Sequence, residues 1–112
     1  GWVDSHTHLL FGGTREDEFA WRIAGRTYQE IAAEGGGIHA SVRHFREASD
    51  EALLGRALRN LDIALSLGTT TLEIKSGYGL SLEEELRASA WLLSDGKRRE
   101  FPAGSQLVLT KT

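Results

Sequence analysis

The segment from Ser49 to Lys75 restricts the fold of this chain more than any other part of its sequence. Ser49 or Asp50 is a favourable helix cap, and Gly68 is a favourable stop. Between them, leucines recur at the spacing of one helix face: Leu54, Leu58, Leu61 and Leu65. The β-branched run 69–75 follows Gly68 at once and predicts a strand. A helix that passes through one glycine into a strand is typical of α/β proteins.

Shorter signals on both sides extend this alternation of helices and strands. Residues 1–11 are rich in apolar side chains and are followed by Gly12-Gly13, which predicts a first strand. Helices are predicted at 16–24, 27–34 and 81–93, the last two behind Ser/Thr-x-x-Glu capping boxes. A last strand is predicted over 107–110, and the polar stretch 95–104 indicates a tail. This order predicts right-handed β-α units around a parallel sheet, without internal repeats or a dividing linker.

The composition limits the classes of partner that the chain can bind. With 112 residues and 40% hydrophobic content, it can bury one modest core. A net charge of −3 provides no positive field for nucleic acid, and no apolar run approaches the roughly 18 residues that cross a membrane, so a soluble, cytoplasmic protein is expected. Because Cys is absent, a transition metal could be bound only by His and carboxylate side chains. The absence of Met and the start at Gly1 suggest an excerpt.

A His-x-His pair on the first strand is the strongest candidate for chemistry. Asp4, His6 and His8 have the same parity, so they share one face, and the imidazoles lie about 7 Å apart along the strand. The pair can converge on one ion, with Asp4 as a carboxylate that orients a ligand. A catalytic zinc site needs about three protein ligands and one open position, so the pair is half a site. The alternative is a pair of surface or hydrogen-bonded histidines.

Three further side chains each allow two interpretations. His39 and His44 lie in a segment without a clear period and could join a metal site or lie on the surface. Lys75 could be carbamylated and bridge two metals, or it could form an ion pair with Glu73 on the same strand face. In both cases the second interpretation is favoured.

Two side chains next to glycines are candidates for substrate binding. Arg15 follows the Gly12-Gly13 loop, which allows the backbone to approach a ligand closely, and a guanidinium group can bind a carboxylate in bidentate fashion. Tyr78 stands between two glycines at a strand end, which would expose its hydroxyl on the functional face. The alternatives are a solvated loop arginine and a tyrosine ring that packs in the core.

Longer strings of residues resemble known proteins. The opening Val3-Asp4-Ser5-His6-Thr7-His8 resembles the metal-binding start of the amidohydrolase superfamily. Later strings resemble the imidazolonepropionase family in order and spacing: Leu10-Phe11-Gly12-Gly13-Thr14-Arg15, Glu16-Asp17-Glu18-Phe19, Tyr28-Gln29-Glu30-Ile31, Glu34-Gly35-Gly36-Gly37-Ile38 and Glu73-Ile74-Lys75-Ser76-Gly77-Tyr78-Gly79-Leu80. The resemblance covers Gly1 to Arg87 and fades from Ala88.

This resemblance implies a fold and a set of site residues. The fold is α/β, a partial (β/α)8 TIM-type barrel of the metal-dependent amidohydrolase kind, with 1–87 as its first two to three β/α units and 88–112 as a helix end and divergent tail. His6 and His8 would bind zinc or iron, and Arg15 and Tyr78 would contact the small-molecule substrate, imidazolone propionate. No catalytic residue is expected within this chain, because the family's other ligands and general base lie on later strands. The resemblance allows a homodimer for the full-length form.

The implied activity is hydrolysis of the cyclic C–N bond of 4-imidazolone-5-propanoate, which gives N-formimidoyl-L-glutamate in histidine degradation. A complete β/α barrel needs about 250 residues, so the chain alone is expected to be inactive, with unpaired sheet edges. Two alternatives stay open. One is another amidohydrolase, such as a deaminase or a cyclic amidase; the other is a non-catalytic product, either a truncated chain or a small histidine-based metal-binding module.

Overall fold

The computed structural model describes residues 1–96 and 106–110. The elements in chain order are β1 (Trp2–Thr7), α1 (Glu16–Ile23), α2 (Tyr28–Ala33), α3 (Ile38–Glu47), α4 (Asp50–Ser66), β2 (Thr69–Lys75), α5 (Leu82–Gly96) and β3 (Gln106–Thr110). The strands form one parallel sheet in the order β1-β2-β3, which confirms the predicted α/β class, the parallel pairing and the last strand. The stretch predicted as a tail lies largely outside the described residues.

The ends of α4 are formed by the residues that predicted them. The Ser49 hydroxyl accepts a hydrogen bond from the Ala52 N–H at 3.3 Å, which satisfies one of the free donors of the first turn. After the helix, Gly68 has a φ of 95°, a left-handed conformation that glycine adopts without a steric penalty. The chain then enters β2 directly, so this short link places the strand beside the helix that precedes it.

The buried face of α4 differs from the predicted leucine stripe. Its buried residues are Leu53, Ala57 and Leu61, whereas Leu54, Leu58 and Leu65 are only partly buried. The stripe that enters the core is thus centred on a small side chain, Ala57. A pattern of large apolar residues does not identify Ala57, because its side chain is small. The predicted face is therefore centred on the neighbouring leucines.

The core lies between β2 and the helices that cover it. It consists of Leu10, Phe45, Leu53, Ala57, Leu61, Leu72, Ile74 and Ala88. Phe45 is 1% exposed and comes from α3, and Leu72 and Ile74 come from the inner face of β2. Burial of each large apolar side chain contributes about 1.5–3 kcal/mol, so this cluster is the main source of stability for the described residues.

Helix α3 was not predicted from the sequence. Its buried residues are Ala40, Ser41, Val42 and Phe45, a set in which two members are small and one is polar. Ile38 at its start is exposed instead. Because the buried face lacks a run of large apolar residues, the segment has no visible period. The helix begins after Gly37, whose φ of 72° makes the turn into it.

Capping interactions fix the other helix starts. At α2, the Thr27 hydroxyl accepts from the Glu30 N–H and the Glu30 carboxylate accepts from the Thr27 N–H, which confirms the predicted capping box. At α5, the Ser81 hydroxyl accepts from the Glu84 N–H at 3.4 Å, but the Glu84 carboxylate contacts Arg87 instead of returning to Ser81. None of the described helices is long and apolar enough to cross a membrane.

Strand β1 lies at an edge of the sheet. Within residues 1–96 and 106–110 it pairs only with β2, and residues 2–6 are all exposed, with Trp2 at 74%. The strand ends at Thr7, earlier than the predicted 1–11, while Leu10 turns inward and joins the core. An exposed edge with apolar side chains is a surface that normally pairs with another strand, which agrees with the predicted unpaired sheet edge.

Arg87 connects α5 to the junction between α3 and α4. Its guanidinium lies 2.5 Å from the Asp50 carboxylate and donates to the Ala48 carbonyl at 2.8 Å. Arg87→Ala would leave both acceptors without this donor, so we expect the free energy of unfolding to fall by about 1–3 kcal/mol in chemical denaturation. The control Arg59→Ala removes an exposed arginine of α4 and should change it by less than about 0.5 kcal/mol. Equal losses in the two variants would contradict the role of Arg87.

Candidate active site

His6 and His8 lie side by side at the carboxyl end of β1. His8 follows Thr7, whose hydroxyl donates to the Glu73 carbonyl of β2 at 2.6 Å and so fixes the end of the strand. A register shift between Asp4 and Thr7 interrupts the strict alternation assumed from the sequence. The imidazole rings still meet, with centroids 5.4 Å apart and planes at 61°. The pair is therefore close enough to share one ligand.

The geometry of the two imidazoles fits a shared metal ion. Two rings that bind one ion through nitrogens about 2.1 Å away at a tetrahedral angle have centroids roughly 5 Å apart, close to the distance seen here. Among the described residues, the buried Nδ1 atoms of His8 and His44 both have no hydrogen-bond partner, but only the His8 ring contacts a second imidazole, that of His6. The described residues contain no group of three or more His, Asp or Glu that could hold a metal. The described residues thus provide two imidazoles at a spacing that one metal ion could bridge, and their role as ligands stays a prediction.

The other predicted metal candidates do not join this pair. The Asp4 carboxylate accepts a hydrogen bond from the His6 backbone N–H at 3.2 Å. This bond is to the strand backbone and not to an imidazole ring. His39 is exposed on α3. His44, also on α3, packs against the Gly12-Gly13 loop, and a Cβ atom at Gly13 would lie 2.7 Å from its Nδ1. The described residues therefore give no support to a four-histidine metal module.

Tyr78 lies beside the histidine pair. Its ring centroid is 5.3 Å from that of His8, and its ring also packs against the edge of the core cluster. The loop that carries it is tight: Gly77 has a φ of 145°, and a Cβ atom at Gly79 would lie 2.7 Å from the Cβ of Glu84. The ring of Tyr78 thus contacts both the core and His8, and the role of its hydroxyl in substrate binding stays a prediction.

A cavity of about 320 Å³ joins the metal candidates to the substrate candidates. His8, Arg15, Ser41 and Tyr78 are among the residues that line it. They come from the end of β1, the loop before α1, helix α3 and the loop after β2, so the strand ends and the covering helices build one concave surface. Pockets for small molecules commonly have volumes of about 300–1,000 Å³, and this cavity lies at the lower end of that range.

Arg15 is held by an acidic residue that the sequence analysis did not single out. Its Nη2 donates to the Glu18 Oε2 at 2.7 Å, one turn along the start of α1. The other carboxylate oxygen of Glu18 accepts from the Gly37 N–H at 3.0 Å, and Glu18 is buried. Spacing of three residues could have suggested the pair with Arg15, but the bond to Gly37 spans nineteen residues and has no local signal.

Several curated proteins with similar sequences are named imidazolonepropionase. The imidazolonepropionase of Caldanaerobacter subterraneus subsp. tengcongensis is 56% identical over 87 residues, which are 78% of this chain and 21% of that protein. That of Haloarcula marismortui has the same identity over the same shares, and that of Agrobacterium fabrum is 58% identical over 85 residues, or 76% of this chain and 20% of its own. The chain is similar to the imidazolonepropionases over most of its own length. No family model matches it.

The chain spans about a fifth of the length of the imidazolonepropionases that it matches. It therefore corresponds to a part of such an enzyme, as the resemblance implied. Lys75 forms an ion pair with Glu73 at 3.3 Å on β2. The structure thus shows the ion pair that was favoured for this lysine.

The pair of Glu18 and Arg15 should make the stability of this chain depend on pH. The Arg15 hydrogen bond holds the pKa of Glu18 below its ordinary value of 4.5; burial opposes this shift, and the Gly37 N–H supports it. A carboxyl group with a lowered folded-state pKa stabilises the fold above its unfolded pKa, and this contribution is lost as the pH falls through the folded value. We expect the stability lost in Glu18→Gln to be full above pH 4.5 and to shrink at lower pH, as measured by urea denaturation. A loss that is constant with pH would contradict this assignment.

Proposed function

We propose that this chain forms the first β/α units of an imidazolonepropionase barrel. The enzyme would hydrolyse the cyclic C–N bond of 4-imidazolone-5-propanoate to N-formimidoyl-L-glutamate in the cytoplasm. One observation supports this proposal most strongly: His8, Arg15 and Tyr78 line one cavity, with His6 next to His8, in a chain that is 56% identical to an imidazolonepropionase over 87 residues.

His6 and His8 would hold the metal ion, zinc or iron. When bound, the ion supplies a Lewis acid and a water molecule whose pKa is low enough to attack at neutral pH. The two imidazoles bind as neutral side chains through ring nitrogens, and the unpartnered His8 Nδ1 is one such nitrogen within the described residues. The Thr7 hydroxyl fixes the strand end between them by its bond to β2. The chain itself thus contributes ligand position, and further ligands must come from other strands.

Arg15 and Tyr78 would bind and orient the substrate. A guanidinium group carries five N–H donors, so Arg15 can donate to Glu18 and still bind the propionate carboxylate of the substrate. Tyr78 would place its hydroxyl near the polar substituents of the imidazolone ring, because the Tyr78 ring lies against His8. Binding of the propionate arm far from the reacting bond would position the imidazolone ring beside the metal.

A chimeric enzyme tests this proposal. In it, residues 1–87 of this chain replace the corresponding segment of the Caldanaerobacter subterraneus imidazolonepropionase, and turnover of 4-imidazolone-5-propanoate is measured. We expect the chimera to be active. A folded, metal-loaded chimera that hydrolyses no imidazolone propionate would contradict the proposed function, whereas one that prefers another cyclic amide or a deaminase substrate would indicate a different amidohydrolase.

Arg15→Ala in this chimera should raise the KM for imidazolone propionate by roughly tenfold to 10²-fold, because the loss of a charge-assisted hydrogen bond to a carboxylate costs about 1.5–3 kcal/mol. The kcat should change much less, because the propionate arm does not react. Steady-state kinetics measure both constants, with the exposed Arg59 of α4 replaced by alanine as the control. If KM were unchanged in both Arg15→Ala and Tyr78→Phe, the assignment of a carboxylate-bearing imidazolone substrate would be wrong.

A further inference from the structure

The carboxylate of Glu18 is enclosed between two donors. Its side chain is 11% exposed, compared with 40% for that of Arg15, with which it pairs at 2.7 Å. The Gly37 N–H donates to its second oxygen at 3.0 Å. Burial of a carboxylate is unfavourable unless its oxygens are paired, and here each oxygen has its own donor.

The backbone around Glu18 leaves little space for the carboxylate to move. A Cβ atom at Gly36 would lie 3.1 Å from the Glu18 Oε1, so a side chain at this position would press against the carboxylate. The same Cβ would lie 2.6 Å from the side chain of Ile31, which is buried. The position of Glu18 is thus determined by α1, by the turn before α3 and by the end of α2.

Arg15, unlike the buried Glu18, is exposed. It stands in the loop between β1 and α1 and lines the cavity that also contains His8 and Tyr78. Arginine has many rotamers, and an unrestrained guanidinium at a loop would lose much conformational entropy when it binds a ligand. The bond to Glu18 removes part of that freedom before the ligand arrives, while other N–H groups of Arg15 stay available.

We infer that Glu18 is a positioning residue, which holds the Arg15 guanidinium at the cavity for the carboxylate of the substrate. This inference rests on the proposed function and adds to it a residue outside the cavity wall. The negative charge of Glu18, taken alone, predicts the opposite effect on substrate affinity. A second anion near an anionic substrate weakens binding by repulsion, so its removal would improve affinity if charge alone mattered. A positioning role predicts the reverse.

Glu18→Gln in the chimera separates these effects. We expect a rise in KM of roughly tenfold to 10²-fold with a much smaller change in kcat, since a displaced positioning group weakens productive binding. Asp17→Asn is the matched control: it removes one negative charge from an exposed neighbouring residue of α1 and should leave KM unchanged. Glu18→Gln should add little to the effect of Arg15→Ala, because both act through one guanidinium.

An unchanged or lowered KM in Glu18→Gln, together with a raised KM in Arg15→Ala, would overturn the inference and leave the proposed function intact. If circular dichroism shows that Glu18→Gln does not fold, Glu18→Asp, which keeps the charge but shortens the reach, decides in its place. It should raise KM, and a wild-type KM would overturn the inference. If the unsubstituted chimera is inactive, the proposed function fails separately. The Arg15 guanidinium resonance in nitrogen NMR then tests the contact: it should shift in Glu18→Gln, and an unshifted signal would overturn the inference.

Discussion

Replacement of His6 or His8 by alanine should lower turnover of imidazolone propionate by the chimera on the order of 10³-fold, because a metal that polarises the substrate and activates water contributes several kcal/mol. The two rings lie 5.4 Å apart, as expected for ligands of one ion, so the loss of either removes half of what this chain supplies. Metal content after dialysis should fall in parallel, since a site with one ligand fewer binds more weakly. Metal analysis and steady-state turnover on the same samples check both expectations.

His39→Ala is the control for these variants. His39 is an exposed histidine on α3 and does not belong to the histidine pair, so its loss should leave metal content and turnover unchanged. A His39→Ala variant that loses the metal, or a His8→Ala variant that keeps it, would show that the ligands were assigned to the wrong histidines.

Gly12→Ala should destabilise the protein and disturb the loop that leads to Arg15. A Cβ atom at this position would lie 2.0 Å from the His44 carbonyl oxygen and 2.5 Å from the Phe45 nitrogen, so it would meet helix backbone that cannot rotate away. Either the loop or α3 must move, which costs about 1–3 kcal/mol as in other overpacked sites. Because this loop leads to Arg15, we also expect a higher KM for imidazolone propionate in the chimera. Chemical denaturation and steady-state kinetics measure the two effects.

Gly55→Ala provides the contrast within the same chain. Gly55 lies in the exposed face of α4, and a Cβ atom there would meet nothing within 4 Å. The substitution should therefore raise the free energy of unfolding by roughly 0.5–1 kcal/mol, because alanine favours the helix over glycine. If Gly12→Ala were as stable as Gly55→Ala, the close approach of the loop to α3 would be wrong.

Local signals were sufficient to predict much of the fold. Ser49 and Gly68 act through bonds and dihedral angles within a few residues, so the bounds of α4 and the start of β2 could be derived from the sequence. The helix α3 could not, because its burial depends on small and polar residues such as Ala40 and Ser41 that fit between distant elements. The buried stripe of α4 was displaced for the same reason, since Ala57 carries no large apolar signal.

Local sequence signals also predicted part of the candidate site, whereas contacts between distant segments could not be predicted. The His-x-His spacing identified two side chains that do meet, although no local pattern indicates the register shift between Asp4 and Thr7. Arg15 and Tyr78 were predicted as candidates because glycines lie close to them in the sequence. Both line one cavity with His8. Glu18 was missed because its role depends on Gly37, which the fold brings to it from another part of the chain.

Bound metal after exhaustive dialysis, measured for the isolated 112-residue chain and for the chimera, tests the central claim most directly. If His6 and His8 are half of a site completed by other strands, the chimera should keep about one ion per chain and the isolated chain should lose its metal, because two imidazoles bind weakly. Near-stoichiometric metal in the folded isolated chain would contradict this account, since the chain would then complete a site by itself.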